Sequence, residues 1–472
     1  MNKFNQFELD PRFLPHNSHH RWPQEFADRD PQLSVLRRHP LVHRFALLDA
    51  LPRHAPGIYS VTGGRQLGKT TLVKQWMLEL LSDEPDPRSI VYLTGELLDD
   101  HHSLVTAVTR LFNDRGDGPV RHLCIDEVTY IKEWDRGIKY LADAGFLEGV
   151  TLLLTGSDSV LIREARMRLP GRRGGASVQD FHLFPLSLCD FVRLTETPSA
   201  EELGGLEHGA RPTPAVLDAL ALAFDRYLIS GGYLRAINEL QAGGTVSPAT
   251  YAVYCDWIRG DVAKRGKRER YLREVLAAVS RRMGSQVTWN GLAGDLSIDH
   301  PATIAEYIDL LARMDVLIVI PALAEHRLSG APKKARKVVF ADPFIYHAVQ
   351  SWLGPTDDPF RDRVIPVMAD SESVGRLAEL CADVHYSRRY PTFYIKAEGE
   401  VDIAYVSGGR FHPVEVKWTG QVRSKDMKQL QKYDDPLVLS RQIADTHHGI
   451  RNRFLPLHLF NMGPSPFVWP EG

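Results

Sequence analysis

Two groups of residues in this 472-residue chain have the types and spacing to do chemistry. The first lies in Gly57–Lys74, GIYSVTGGRQLGKTTLVK, where Gly63 is followed, after four residues, by Gly68-Lys69-Thr70. Glycines at Gly63 and Gly68 let the backbone N–H groups of the run Gly63, Gly64, Arg65, Gln66, Leu67, Gly68, Lys69, Thr70 and Thr71 wrap phosphates. Lys69 is expected to reach the terminal phosphates and the Thr70 hydroxyl to ligate Mg2+. A helix N-terminus at this point adds partial positive charge. A β-rich run, Ile58–Thr62, enters the loop, and Leu72, Val73, Trp76, Met77 and Leu80 share one helix face after it. Strand, glycine loop and helix in this order predict a phosphate-binding loop, with ATP and Mg2+ as cofactors.

An acidic strand follows at the expected distance. In RHLCIDEV, apolar Leu123, Cys124 and Ile125 precede Asp126 and Glu127. Asp126 is expected to hold Mg2+ through water and Glu127 to polarise the attacking water as a general base. The next strand, Val150–Thr155, ends in Gly156-Ser157. Ser157 has two readings, a sensor of the γ-phosphate or the N-cap of a following helix. Arg172, in Leu169-Pro-Gly-Arg172-Arg173, is either a catalytic arginine, supplied in cis or to a neighbouring subunit, or a solvated loop residue.

The second group is C-terminal. Asp402 sits mid-strand, Gly408-Gly409 marks a hairpin, and the returning strand carries Glu415 and Lys417 on one face by alternation. Asp402 and Glu415 are expected to bind Mg2+ while Lys417 orients or activates a hydrolytic water. The plain alternative is a β-hairpin with an exposed ion pair.

Several sequence segments together resemble a largely uncharacterised family of bacterial and archaeal AAA-type ATPases with a C-terminal nuclease-like domain. They are the glycine loop, IDEVTYIKEWDRGIKYL, LLLTGSDS, and LPGRRGGASVQDFHLFPLSLCDF with its Phe184-Pro-Leu-Ser187. Ser230-Gly-Gly-Tyr233 and the Lys337, Phe340, Asp342 pattern resemble the same family. The resemblance spans most of residues 40–435. Asp402, Glu415 and Lys417 resemble the PD-(D/E)xK nuclease core, although Val401 replaces the usual proline. The resemblance makes Glu379, in Val374–Glu379, the residue that completes that metal site, and aligns Gln429 and Tyr433 with a Gln-x-x-x-Tyr element.

The elements that must position these residues are those of an α/β protein. The expected order is an N-terminal arm (1–40), a P-loop ATPase domain (41–210), a helical lid and winged helix (211–350), and a restriction-endonuclease-like domain (351–472). Residues 197–214, rich in Pro, Gly and Glu, read as a linker or insertion. Helices at Tyr271–Arg282, Thr288–Asp295 and Ala302–Met314, then a hairpin of Val316–Ile320 with Lys337–Ala341, make the winged helix. Its loop residues Lys333, Lys334, Arg336 and Lys337 are placed to lie on DNA phosphates. Exposed Glu306 and Asp309 argue instead for protein packing. The basic run Lys264–Arg273 reads as a phosphate contact or a solvated helix face.

Composition sets the outer bounds. Hydrophobic residues are 43% and charged residues 25%, the balance of a chain that buries large cores. With 57 basic and 59 acidic residues the net charge is −2, which excludes a polycation but not local DNA contacts. The longest apolar stretches fall short of the ~20 residues of a spanning helix. Four separated cysteines predict neither a zinc site nor disulfides. The chain is thus expected to be cytoplasmic and free of membrane. ATP, and DNA through the winged helix and C-terminal domain, are the expected partners, and homo-oligomerisation is left open. The alternative is a nucleotide-dependent switch that recognises a partner without cleavage.

Overall fold

The computed structural model describes residues 9–113, 120–158, 162, 168–207, 211–294, 296–298, 300–397, 399–418, 427–443, 446–447 and 449–470. Two compact units divide the chain, Met1–Phe184 and Pro185–Gly472. The expected boundaries near residues 210 and 350 both fall inside the second unit. Among the described residues no helix is long and apolar enough to cross a membrane.

In the first unit, β1 (Gly57–Thr62), β2 (Ile90–Thr94), β3 (His122–Asp126), β4 (Thr151–Gly156) and β5 (Asp180–His182) pair in parallel in the order β2-β3-β4-β1-β5. Continuous apolar runs suit strands covered on both faces, and every residue of β2, β3 and β4 is buried. The helix Lys69–Asp83 buries Leu72, Val73, Trp76, Met77 and Leu80, the face expected from the sequence. The helices His101–Asn113 and Trp134–Asp143 bury Leu104, Val108, Leu111 and Trp134, Ile138, Leu141. The strand order sets the carboxyl ends of β1, β4 and β3 side by side, so their last residues share one edge of the sheet.

The segment expected as an N-terminal arm is packed into this unit from Leu9 onward. Leu9 and Phe13 join the core with Val91 and Leu93. The Asn17 side chain pairs with both backbone groups of Tyr92, at 2.8 Å each.

The second unit holds β6 (Gln286–Val287), β7 (Leu317–Pro321), β8 (Leu323–Ala324), β9 (Ser329–Gly330), β10 (Arg336–Phe340), β11 (Thr392–Lys396), β12 (Glu400–Ser407), β13 (Arg410–Lys417), β14 (Leu437–Ser440), β15 (Thr446–His447) and β16 (Ile450–Phe454). They form sheets ordered β6-β10-β7, β8-β9 and β11-β12-β13-β14-β16-β15. The helices Glu269–Arg281, Trp289–Ala293 and Pro301–Arg313 precede β7. Ile304, Ile308 and Leu311 are buried, while Glu306, Asp309 and Arg313 are exposed.

Two expectations change here. The stretch read as a linker or insertion contains the helix Ala200–Glu207, which the linker reading did not include. Its start is built by Ser199, whose hydroxyl accepts from the Glu202 N–H while the Glu202 carboxylate accepts from the Ser199 N–H. Composition counted the Pro, Gly and Glu, but this capping pair decides the local structure. The second change concerns Lys337, expected on a DNA-facing loop. It is fully buried, because it belongs to β10, a strand buried from Lys337 onward, and its ammonium meets Glu379, Glu400 and Asp402. Lys333 and Lys334 remain exposed.

The basic run after residue 264 makes contacts within the protein, two of them with acids. Lys267 meets Glu306 at 2.5 Å, Arg270 meets Glu274 at 3.0 Å, and Arg273 donates to the Leu353 carbonyl at 2.8 Å.

Gly231 and Gly232 are required where three segments meet. A Cβ at Gly231, whose φ is +52°, would fall 1.7 Å from an Asp342 oxygen. Asp342 accepts from the Gly232 and Phe344 N–H groups, at 3.0 and 2.8 Å. Arg388 completes the knot by donating to the Pro185 and Ala341 carbonyls, both at 3.0 Å.

Candidate functional site

The glycine loop joins β1 to the helix Lys69–Asp83. Gly63 has φ +145°, and a Cβ there would lie 2.4 Å from the Leu183 carbonyl oxygen, so only glycine fits. Gly68, with φ +94°, is the helix N-cap. Gly64, Leu67 and Lys69 are buried, Arg65, Thr70 and Thr71 are half-buried, and Gln66 is exposed with φ +62°. Arg65 leans on the Tyr130 ring and donates to its hydroxyl at 2.9 Å.

The Lys69 ammonium is held inside its own loop. It donates to the Gly63 and Gly64 carbonyls, each at 3.0 Å, and lies 3.8 Å from a Glu127 oxygen. The Thr70 hydroxyl donates to Asp126 Oδ2 at 2.7 Å. The same oxygen accepts from the Tyr92 hydroxyl at 2.7 Å, and Asp126 Oδ1 accepts from the Thr155 hydroxyl. Burial, and after it the nearby Asp126, raise the Tyr92 phenol above its usual range, so this hydroxyl stays a donor.

Glu127, at the end of β3, has φ +52°; its N–H donates to Thr155 Oγ1 at 3.0 Å. Ser157 donates to Glu127 Oε2 at 3.3 Å. The N-cap reading of Ser157 concerns a helix start at residues 159–161, which lie outside the described residues.

The structure thus brings Lys69, Thr70, Asp126, Glu127 and Ser157 together. Thr70 and Asp126 point their oxygens at one another beside a cationic side chain and a glycine cradle, a donor set that fits Mg2+ and a polyphosphate. Arg172 is placed elsewhere: its guanidinium pairs with Asp143 and donates to the Pro170 carbonyl at 3.0 Å.

Tyr92 and Thr155, which orient Asp126, escaped the sequence reading. Each is a polar residue within a largely apolar strand adjoining β3, a signal visible only once the strand order is known. Lys74 escaped as well. It is fully buried, 3.1 Å from Asp30 and 3.5 Å from the Tyr92 ring centre, which links the N-terminal segment to this hydrogen-bond chain.

The C-terminal group is positioned by the hairpin β12–β13. Gly408 and Gly409, with φ +59° and +74°, make the two-residue turn between Ser407 and Arg410. Antiparallel pairing then sets Asp402 against Glu415 and Val416. The Val416 N–H donates to Asp402 Oδ2 at 3.0 Å and the Asp402 N–H to Glu415 Oε2 at 3.3 Å. Lys417 reaches Glu415 Oε1 at 2.5 Å and Asp402 Oδ2 at 3.8 Å.

Glu379, from the helix Ser371–Ser387, joins through Lys337. The Lys337 Nζ lies 3.0 Å from Glu379 Oε1, 3.3 Å from Glu400 Oε1 and 3.4 Å from Asp402 Oδ1. Gln429 donates to the Tyr433 hydroxyl at 3.0 Å and accepts from the Gly399 N–H, which fastens the chain just before β12.

Burial, then Asp402, push the Glu415 carboxyl up to about 8. Burial works against the Lys417 and Lys337 ammonium groups, but the surrounding carboxylates outweigh it and hold both protonated. These acids are therefore arranged about two ammonium groups. Among the described residues no three His, Cys, Asp or Glu side chains converge to hold a metal ion, so Mg2+ does not fit the cluster in this arrangement.

Comparison with known proteins assigns part of the chain. Residues 55–192 match the AAA domain family, and residues 221–356 match a domain of unknown function (DUF8612). With its five parallel strands, the first segment has the AAA P-loop ATPase fold. No curated protein matches. Solved structures similar to this chain include ORC1 of Aeropyrum pernix in complex with DNA, at 14% identity and a TM-score of 0.32, covering 71% of this chain and 94% of that one. A mutant RuvB of Thermotoga maritima matches at 16% identity and a TM-score of 0.29, covering 62% and 89%. AMPPCP-bound DnaA from Aquifex aeolicus matches at 12% identity and a TM-score of 0.24, covering 64% and 92%.

Proposed function

We propose that this protein binds and hydrolyses ATP in its first unit and acts on DNA through its second. The contact that carries the first part is Thr70 Oγ1 to Asp126 Oδ2, at 2.7 Å, with Lys69 and Glu127 beside it. Lys69 exchanges two backbone carbonyls for phosphate oxygens when nucleotide enters. The loop N–H groups and the helix N-terminus bind the remaining phosphate charge. Thr70 and Asp126 would hold Mg2+, which neutralises phosphate oxygens when bound. Glu127 takes the proton of the attacking water, with Ser157 fixing one carboxylate oxygen and the other left facing Lys69. Arg172 serves only by leaving Asp143, either for this site or for that of a second copy.

In the second unit we read the three helices with β6, β7 and β10 as a winged helix, and the sheet β11–β16 as nuclease-like. Asp402, Glu415 and Lys417 on one hairpin support the latter. Exposed Lys333 and Lys334, just before β10, are basic groups suited to a phosphate backbone. The second reading, partner recognition without cleavage, is favoured by the occupation of Asp402 and Glu379 by Lys337.

A paired assay separates the two. ATP hydrolysis and Mg2+-dependent DNA cleavage are measured with and without DNA and ATP, in the wild type and in Lys69→Ala and Asp402→Ala. DNA-stimulated hydrolysis with cleavage lost in Asp402→Ala supports action on DNA. Hydrolysis indifferent to DNA, with no cleavage, leaves the switch.

A further inference from the structure

Lys337 is a fully buried ammonium on β10, and β10 belongs to a different sheet from the acids it meets. Besides Glu379, Glu400 and Asp402 Oδ1, it lies 3.4 Å from the Asp402 backbone oxygen. All four neighbours are oxygens, three of them on carboxylates, a type that suits a hard divalent cation. Lys417 takes the other Asp402 oxygen together with Glu415.

An independent feature shows that this cluster holds more carboxyl groups than lysines. Asp383 lies one turn beyond Glu379 on the same helix, is completely buried, and neither carboxyl oxygen has a hydrogen-bond partner. Its charge interacts with Lys337, Glu379, Asp402 and Glu400. Glu379, Asp383, Glu400, Asp402 and Glu415 thus outnumber Lys337 and Lys417. A buried carboxyl without a partner is costly, and either protonation or additional cationic charge relieves it.

We propose that the Lys337 ammonium stands in the place of a divalent cation, so that the cluster takes no metal while Lys337 occupies it. The proposal rests on reading the C-terminal sheet as a nuclease-like cation site. Two positive charges do not share one set of carboxylate oxygens without strong repulsion, so metal and Lys337 compete.

The test uses the full chain without nucleotide, titrated with Mn2+ by calorimetry and by thermal unfolding. Lys337→Met is expected to bind Mn2+ at least about tenfold more tightly than the wild type, and to be stabilised by it. That binding disappears in Lys337→Met/Asp402→Asn, while Lys337→Arg behaves as the wild type. If Lys337→Met does not fold in metal-free buffer, Lys337→Met/Asp383→Asn, with one acid fewer, carries the same measurement. Wild-type protein binding Mn2+ as tightly as the Lys337→Met forms, through Asp402, overturns the competition and leaves the cation-site reading standing. Absence of Mn2+ binding in every variant overturns both.

Discussion

Lys69, Asp126 and Tyr92 do different work although all three belong to one hydrogen-bonded site. Lys69 supplies the charge that meets phosphate, so Lys69→Ala is expected to abolish nucleotide binding in a fluorescent-ATP titration. Undiminished ATPase activity would sink the site assignment. Glu127→Gln keeps the shape and removes the proton acceptor; ATP should bind and remain unhydrolysed, as single-turnover kinetics would reveal. Tyr92 acts through Asp126 and touches no nucleotide itself. A hydrogen bond to a charged group contributes about 1.5–3 kcal/mol, so Tyr92→Phe should raise the Mg2+ concentration needed for half-maximal hydrolysis by about tenfold or more. Nucleotide binding without Mg2+ should be unchanged. A wild-type Mg2+ profile would show that Thr70 and Thr155 orient Asp126 without help.

At the scale of elements, the glycine loop and the capping turns are the parts with least freedom. Gly63→Ala drives a methyl group against the Leu183 carbonyl at a φ that L-residues avoid. It should lower the melting temperature of the first unit and weaken ATP binding together. A variant with both properties intact would mean that β1 and the loop relax freely. In the second unit, Ser199→Ala removes the hydroxyl that caps the helix Ala200–Glu207. Its cost in urea unfolding is expected to be about 1 kcal/mol, and an unchanged midpoint would deny the cap any energetic role. The β12–β13 hairpin shows the same economy of local rules. Two residues with positive φ set the register, and the register brings Asp402 to Glu415.

On the scale of a whole unit, buried histidines tie the stability of Pro185–Gly472 to pH. Burial lowers His347 from 6.5 to about 4, against the opposing effect of its hydrogen bond to the Leu228 carbonyl. His385 and His458 are lowered to about 3 and about 4, again chiefly by burial. Their rings stay neutral in the folded state, while the unfolded chain takes up protons below about 6.5. Stability from these groups is therefore complete above that pH and is lost as pH falls towards 4. Replacing His347 with Gln should make the acid-side slope of unfolding free energy shallower by about 1.4 kcal/mol per pH unit, whatever its effect at neutral pH. An identical slope would contradict a neutral buried ring.

What the sequence determined by itself was local in the chain. The glycine loop, its lysine and threonine, and the apolar face of the following helix were legible because backbone geometry over a few residues fixes them. Asp126 and Glu127 were legible as the end of an apolar strand, and Asp402, Glu415 and Lys417 as one hairpin. Tertiary structure decided the rest. Tyr92 and Thr155 became partners of Asp126 only when the strand order placed β2 and β4 on either side of β3. Lys337 looked like the last member of an exposed basic run, and it lies 65 residues from Asp402 in sequence. Nothing in its neighbours' types distinguishes a solvated lysine from one turned inward at the start of a strand. That choice is made by the acids Glu379, Glu400 and Asp402, which folding gathers around it and whose burial makes an internal ammonium the less costly arrangement.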